Sequence, residues 1–125
     1  MKREIRSESV PSPAGPYSQA VETSDGVYCS GQLGTDRATG KLEDGIQAQT
    51  RRALSNLASV LGAAGLEMKS VVKTTVFMVD MGQFALMNEE YAKHFAAPFP
   101  ARSTVQVAAL AKGALVEIDA IAVKK

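Results

Sequence analysis

The chain has 125 residues, 46% of them hydrophobic and 22% charged, with fourteen Lys and Arg against thirteen Asp and Glu. This composition excludes intrinsic disorder, and a net charge of +1 is too weak a field to announce nucleic acid or an anionic membrane as partner. One domain over 1–125 is expected, and the lone Cys29 leaves no intrachain disulfide and fits a reducing, cytoplasmic setting.

In chain order, Lys2 to Ser7 reads as a short edge strand, followed by a Pro- and Gly-rich stretch that excludes regular structure. No segment approaches the roughly 20 apolar residues of a spanning helix, so neither export nor a membrane anchor is expected. Ala20 to Thr23 and Val27 to Gln32 read as strands joined by the turn Ser24-Asp25-Gly26. A helix follows, with Asp44 as N-cap, Ile46, Ala53, Leu54, Leu57, Leu61 and Ala64 on one face, and Gly65 just past its end. Val71 to Val79 is dense in β-branched residues and reads as a central strand.

Asp80 and Gln83 have the spacing of a capping box, opening a second helix whose stripe is Phe84, Met87, Tyr91 and Phe95, with Asn88 on the same side. Pro98 and Pro100 stop it. Two last strands, near Ala101 to Ala109 and Ala114 to Val123, flank the turn Ala111-Lys112-Gly113. Two helices cover only one face of the resulting sheet. The apolar residues of Val71–Val79 and of the last strand point to both sides, so a homo-oligomer is expected to bury the second face.

Candidate chemistry is sparse. With one histidine, His94, and one cysteine, a metal site or a Ser/Cys-His triad lacks ligands or partners, and no cofactor is called for. Ser30-Gly31-Gln32 lies in a Gly-containing stretch with no complete phosphate-binding motif. Three features fit a purely structural reading poorly. Arg102 shares a strand face with Thr104 and Gln106 and is either a solvated edge residue or a ligand clamp; Ser103 falls on the opposite face. Glu117 and Asp119 share a face of the last strand, as a safeguard against edge aggregation or as carboxylates at a cleft. Asn88, if buried, needs a hydrogen-bond partner from the backbone or from a ligand.

Read together, Gly15-Pro16-Tyr17-Ser18-Gln19-Ala20, Ser30-Gly31-Gln32, Asn56-Leu57, Val72 to Phe77, Asn88 with Tyr91 and Phe95, Pro100-Ala101-Arg102 and Val116-Glu117-Ile118 resemble the RidA (YjgF) family of reactive-intermediate deaminases. The resemblance runs nearly end to end. It implies an α+β, chorismate-mutase-like sandwich: a mixed six-stranded sheet with two helices on one face, assembled as a homotrimer around a central β-barrel, with sites between subunits. It also implies metal-independent hydrolysis of 2-enamine and 2-imine acids, such as 2-aminoacrylate, to 2-oxo acids and ammonia.

Arg102 would hold the substrate carboxylate and Glu117 would position the attacking water. Ser30, Gly31, Ser103 and Thr104 would line the pocket, and Tyr17, Phe84 and Asn88 would enter from the adjoining subunit. The chain departs from the family pattern at Thr104, where Cys is frequent, at Ala111, where Pro is frequent, and over Val10 to Ala14. Rival readings are a single-stranded RNA endoribonuclease or translation inhibitor, to which a net charge of +1 and the absence of Trp give little support, and a non-catalytic carboxylate binder or holdase.

Overall fold

A computed structural model describes residues 1–124. The chain runs β1 (Arg3–Ile5), β2 (Ala20–Glu22), β3 (Gly26–Leu33), α1 (Ile46–Ala63), β4 (Val71–Met78), α2 (Phe84–Ala92), β5 (Ala101–Gln106) and β6 (Val116–Val123). The strands form one six-stranded sheet in the order β1-β2-β3-β6-β4-β5. Only β4 and β5 pair in parallel, which makes the sheet mixed. No helix is long and apolar enough to cross a membrane among the described residues.

Both helices lie on one face. Ala53, Leu54, Leu57, Val60 and Leu61 of α1 pack with Val116, Ile118, Ala120 and Ala122 of β6, and all are at most 2% exposed. Each large aliphatic side chain so buried contributes about 1.5–3 kcal/mol. On the opposite face Phe77 and Ile121 are half-buried, whereas Tyr28, Val105 and Val123 stand exposed. Alternation along β4 and β6 therefore sorts apolar residues to both sides, as their composition predicts.

Three local expectations are corrected. The N-cap of α1 is Gly45, at φ 91°, with no side-chain cap. Asp44 is displaced because the chain turns into the helix through a left-handed conformation that glycine adopts without strain. Asp80 does cap, but it accepts from the Gly82 N–H (2.8 Å) in the 3-10 turn Met81–Gln83, and α2 begins only at Phe84. Finally, β5 and β6 are not a hairpin, since β4 lies between them. The β4–α2–β5 segment is a parallel crossover unit, and the linking residues then return the chain to the other edge of β4. Both edges of this apolar strand are thereby hydrogen-bonded. At the far end of α1 the expectation holds: Gly65, at φ 76°, follows the C-cap, and the Leu66 N–H donates to the Leu61 carbonyl (2.9 Å), closing a Schellman motif.

Candidate functional site

The residues singled out above form two groups, and the sheet separates them. The first surrounds Arg102. Phe84, Asn88 and Tyr91 recur at helical spacing on α2 and meet the edge strand β5. Arg102 Nη1 donates to Asn88 Oδ1 (2.7 Å), and the guanidinium lies 4.7 Å from the Tyr91 ring centre and 5.5 Å from that of Phe84. These aromatic faces attract the cation while leaving its remaining N–H groups free to donate. Asn88 is exposed, so its amide is partnered by an arginine at the surface rather than buried.

Tyr91 is held from beneath. Its hydroxyl and Thr74 Oγ1 form a buried 2.7 Å hydrogen bond, and Phe95 packs on its ring at 4.8 Å. Burial raises the Tyr91 pKa, so the phenol stays neutral under the guanidinium. Among the described residues no carboxylate pairs with Arg102. Thr104 follows on the same face as Arg102, and its Oγ1 is buried without a partner.

The second group surrounds Glu117. A register shift in β3 between Cys29 and Gln32 carries Ser30 and Gly31 past β6. The Glu117 carboxylate occupies the space so opened. A Cβ on residue 31 would lie 2.1 Å from Glu117 Oε2, so any larger residue there displaces the carboxylate from this position. Burial raises the Glu117 pKa, and the neighbouring charge of Asp119 raises it further. Asp119 is itself fixed, Oδ1 accepting from the Thr75 N–H at 3.0 Å.

Ser30 is committed to the fold. Its hydroxyl donates to the Ser18 carbonyl (2.7 Å) and its N–H to that of Gln19 (2.9 Å), which ties the Gly15–Ala20 loop to β3. Tyr17, on that loop, is 54% exposed and lines with Gly31 a cleft of about 410 Å³. A larger depression of about 600 Å³, bordered by Lys69, His94, Phe95 and Pro98, contains none of these residues.

Strand register shows why the groups stay apart. Arg102 shares a row with Thr74 and Ala120, both buried toward the helices. Glu117 shares a row with Phe77 and Val105, three positions further along β4. Three is odd, so the two side chains leave opposite faces of the sheet. Ser103 lies in the row of Thr75 and Asp119, on the Glu117 side. The expectation that Phe84 and Asn88 reach Arg102 from another subunit is corrected, because both contact it within one chain through α2.

Two features escaped the sequence reading. Tyr91 is the floor beneath Arg102, which its i,i+3 spacing from Asn88 could have signalled. Glu90, 2% exposed, gathers Arg51, Lys93 and His94 between the two helices. Lys93 and His94 follow Glu90 at i+3 and i+4, a spacing legible in the sequence, whereas Arg51 is brought in by the helix crossing, which no local pattern encodes.

The sequence profile of the family described as Endoribonuclease L-PSP matches residues 7–124. A 2-iminobutanoate/2-iminopropanoate deaminase of Capra hircus is 45% identical, over 99% of this chain and 91% of its own. The crystal structure of RidA from the Antarctic bacterium Psychrobacter sp. superposes with a TM-score of 0.95 at 41% identity, covering 98% of this chain and 99% of that one. Escherichia coli TdcF with bound serine superposes at 0.93 and 38% identity, covering 98% and 99%. Full-length identity at this level, with the same six-stranded sheet and two helices, means that the chain belongs to the Endoribonuclease L-PSP family, the RidA family.

Proposed function

We propose that the chain is a deaminase of reactive 2-imino acids, hydrolysing them to 2-oxo acids and ammonia at sites that two subunits share. The observation that carries this reading is an arginine without a carboxylate partner among the described residues, braced by Asn88, Phe84 and Tyr91 and open to a ligand. Such a guanidinium grips a carboxylate through two parallel charge-assisted hydrogen bonds. Glu117 supplies the second function. A carboxylate with a raised pKa is a stronger base than one in water, and it stands against a glycine where a substrate can approach the backbone.

The reaction then proceeds in two stages. An enamine first takes a proton on carbon and becomes the iminium. Water, its proton accepted by Glu117, adds to the iminium carbon; Glu117 then returns that proton to the carbinolamine nitrogen, which leaves as ammonia as the C–N bond breaks, the hydroxyl proton is lost to solvent and the C=O forms. One water is consumed for each ammonia released, with no change of oxidation state. Because Arg102 and Glu117 leave opposite faces of one sheet, a substrate that touches both must draw them from different chains. Oligomerisation through the exposed Tyr28, Val105 and Val123 face, as a homotrimer, supplies such a junction. RNA cleavage, the activity in the family's description, draws no support from a net charge of +1 or from a sequence without Trp.

The test generates 2-aminoacrylate enzymatically and follows pyruvate release with and without the protein. The expected result is acceleration by the wild type, loss of about 100-fold or more in Arg102→Ala, and a loss of about tenfold in Arg102→Lys, which keeps the charge and loses the fork. A wild type that leaves the rate at the buffer value would falsify the deaminase reading.

A further inference from the structure

The Tyr17 cleft contains a cation that the mechanism above leaves idle. Lys112 is, among the described residues, the non-glycine residue with a left-handed backbone, at φ 61°. Glycine and asparagine adopt that conformation with less strain, so the turn itself does not call for lysine. The side chain is exposed and enters no ion pair among the described residues. It borders the cleft of about 410 Å³ that Tyr17 and Gly31 also line, between walls contributed by Pro16, Leu33 and Ala111. Gly31 is the residue on which the Glu117 carboxylate rests, so one end of this cleft adjoins the proposed reacting centre.

We propose that Lys112 selects substrates with a second carboxylate: 2-imino acids whose side chain is a short methylene run ending in an anionic group. The inference rests on the deaminase reading. With the first carboxylate on Arg102 and the imine carbon at Glu117, the substrate side chain extends along the cleft. Its Pro16, Leu33 and Ala111 walls cover methylenes, Ser12, Gln19, Gln32 and Thr35 add neutral polar groups, and among the described residues that line it Lys112 carries the one charge. A strained position filled by a residue unsuited to it fits a role outside the turn. An exposed ammonium gives a modest, salt-sensitive preference rather than an absolute one.

The experiment compares 2-iminoglutarate with 2-iminobutanoate, each generated in situ by an amino-acid oxidase, with semicarbazide competing for the imine. Lys112→Asn suits the left-handed turn and removes the charge. It is expected to lower kcat/KM for the dicarboxylate about fivefold, mainly through KM, and to leave the monocarboxylate within about twofold. Lys112→Arg restores the preference, Lys112→Glu lowers it by about tenfold, and salt at about 0.5 M removes it from the wild type. Equal losses on both substrates, or an unchanged dicarboxylate rate in Lys112→Asn, overturn the inference. If the wild type accelerates 2-iminobutanoate under those outcomes, the deaminase reading stands without it. A wild type inert toward both substrates overturns the two together.

Discussion

Glu90 is buried and Glu117 half-buried, and the protein treats the two carboxyls in opposite ways. Burial pushes the Glu90 pKa upward, but hydrogen bonds from His94, Arg51 and Lys93 outweigh it and hold the carboxyl at about 2. Glu117 has burial without a cation, and Asp119 adds a like charge, so its pKa rises. Glu90 is a carboxylate spent on structure: charged, saturated with donors, and pinning α1 to α2. Glu117 has no ion-pair partner among the described residues, and its ionised form costs stability, as expected of the base proposed above. Depth alone does not set a carboxyl's pKa; the company it keeps does.

Swapping each acid for its amide breaks this contrast most sharply. Glu117→Gln is expected to lower kcat by about 10²–10⁴-fold while the protein stays folded. Its midpoint of thermal unfolding at pH 7 should rise by about 1–3 °C, because a group with a raised folded-state pKa costs stability once ionised. A fall in both rate and midpoint would assign Glu117 to the framework instead. Glu90→Gln is expected to do the reverse, costing about 2 kcal/mol at pH 7 in urea unfolding and changing kcat by less than about threefold. The cost stays moderate because Arg51 and Lys93 are more than half exposed and regain water. The same linkage predicts a pH dependence. Glu90 is depressed in the folded state, so its stabilisation is complete above the ordinary carboxylate range and drains away between about pH 5 and pH 2. The Glu90→Gln unfolding curve should be flatter over that window.

The smallest effect is the most diagnostic. Asp119→Asn keeps an oxygen for the Thr75 N–H and removes the neighbouring charge. The acid limb of the kcat/KM profile should move to lower pH, by less than about one unit, with the plateau rate preserved. An unmoved limb would mean that burial alone sets the basicity of Glu117.

Much of this arrangement was legible in the sequence, because strand alternation and helical spacing are local. The shared face of Arg102 and Thr104, the shared face of Glu117 and Asp119, and the Phe84–Asn88–Tyr91 stripe all follow from counting residues. What counting misses is which strands become neighbours. The Ala111-Lys112-Gly113 turn suggests a hairpin, and only the competing demand of β4 for a partner on each edge separates β5 from β6. That placement decides that Arg102 meets Asn88 in its own chain and is parted from Glu117. The Arg51–Glu90 pair is similarly non-local, joining residues 39 apart across two helices.

The opposed faces of Arg102 and Glu117 also govern inheritance of damage. In the proposed assembly each site takes its anchor from one chain and its base from the next, so a defective copy spoils only the half it contributes. Arg102→Ala and Glu117→Gln proteins, each inert alone, should complement when unfolded together and reassembled, since junctions of the right polarity pair two intact halves. Random mixing at equal amounts restores about a quarter of the junctions, and the double variant, mixed with neither, restores none.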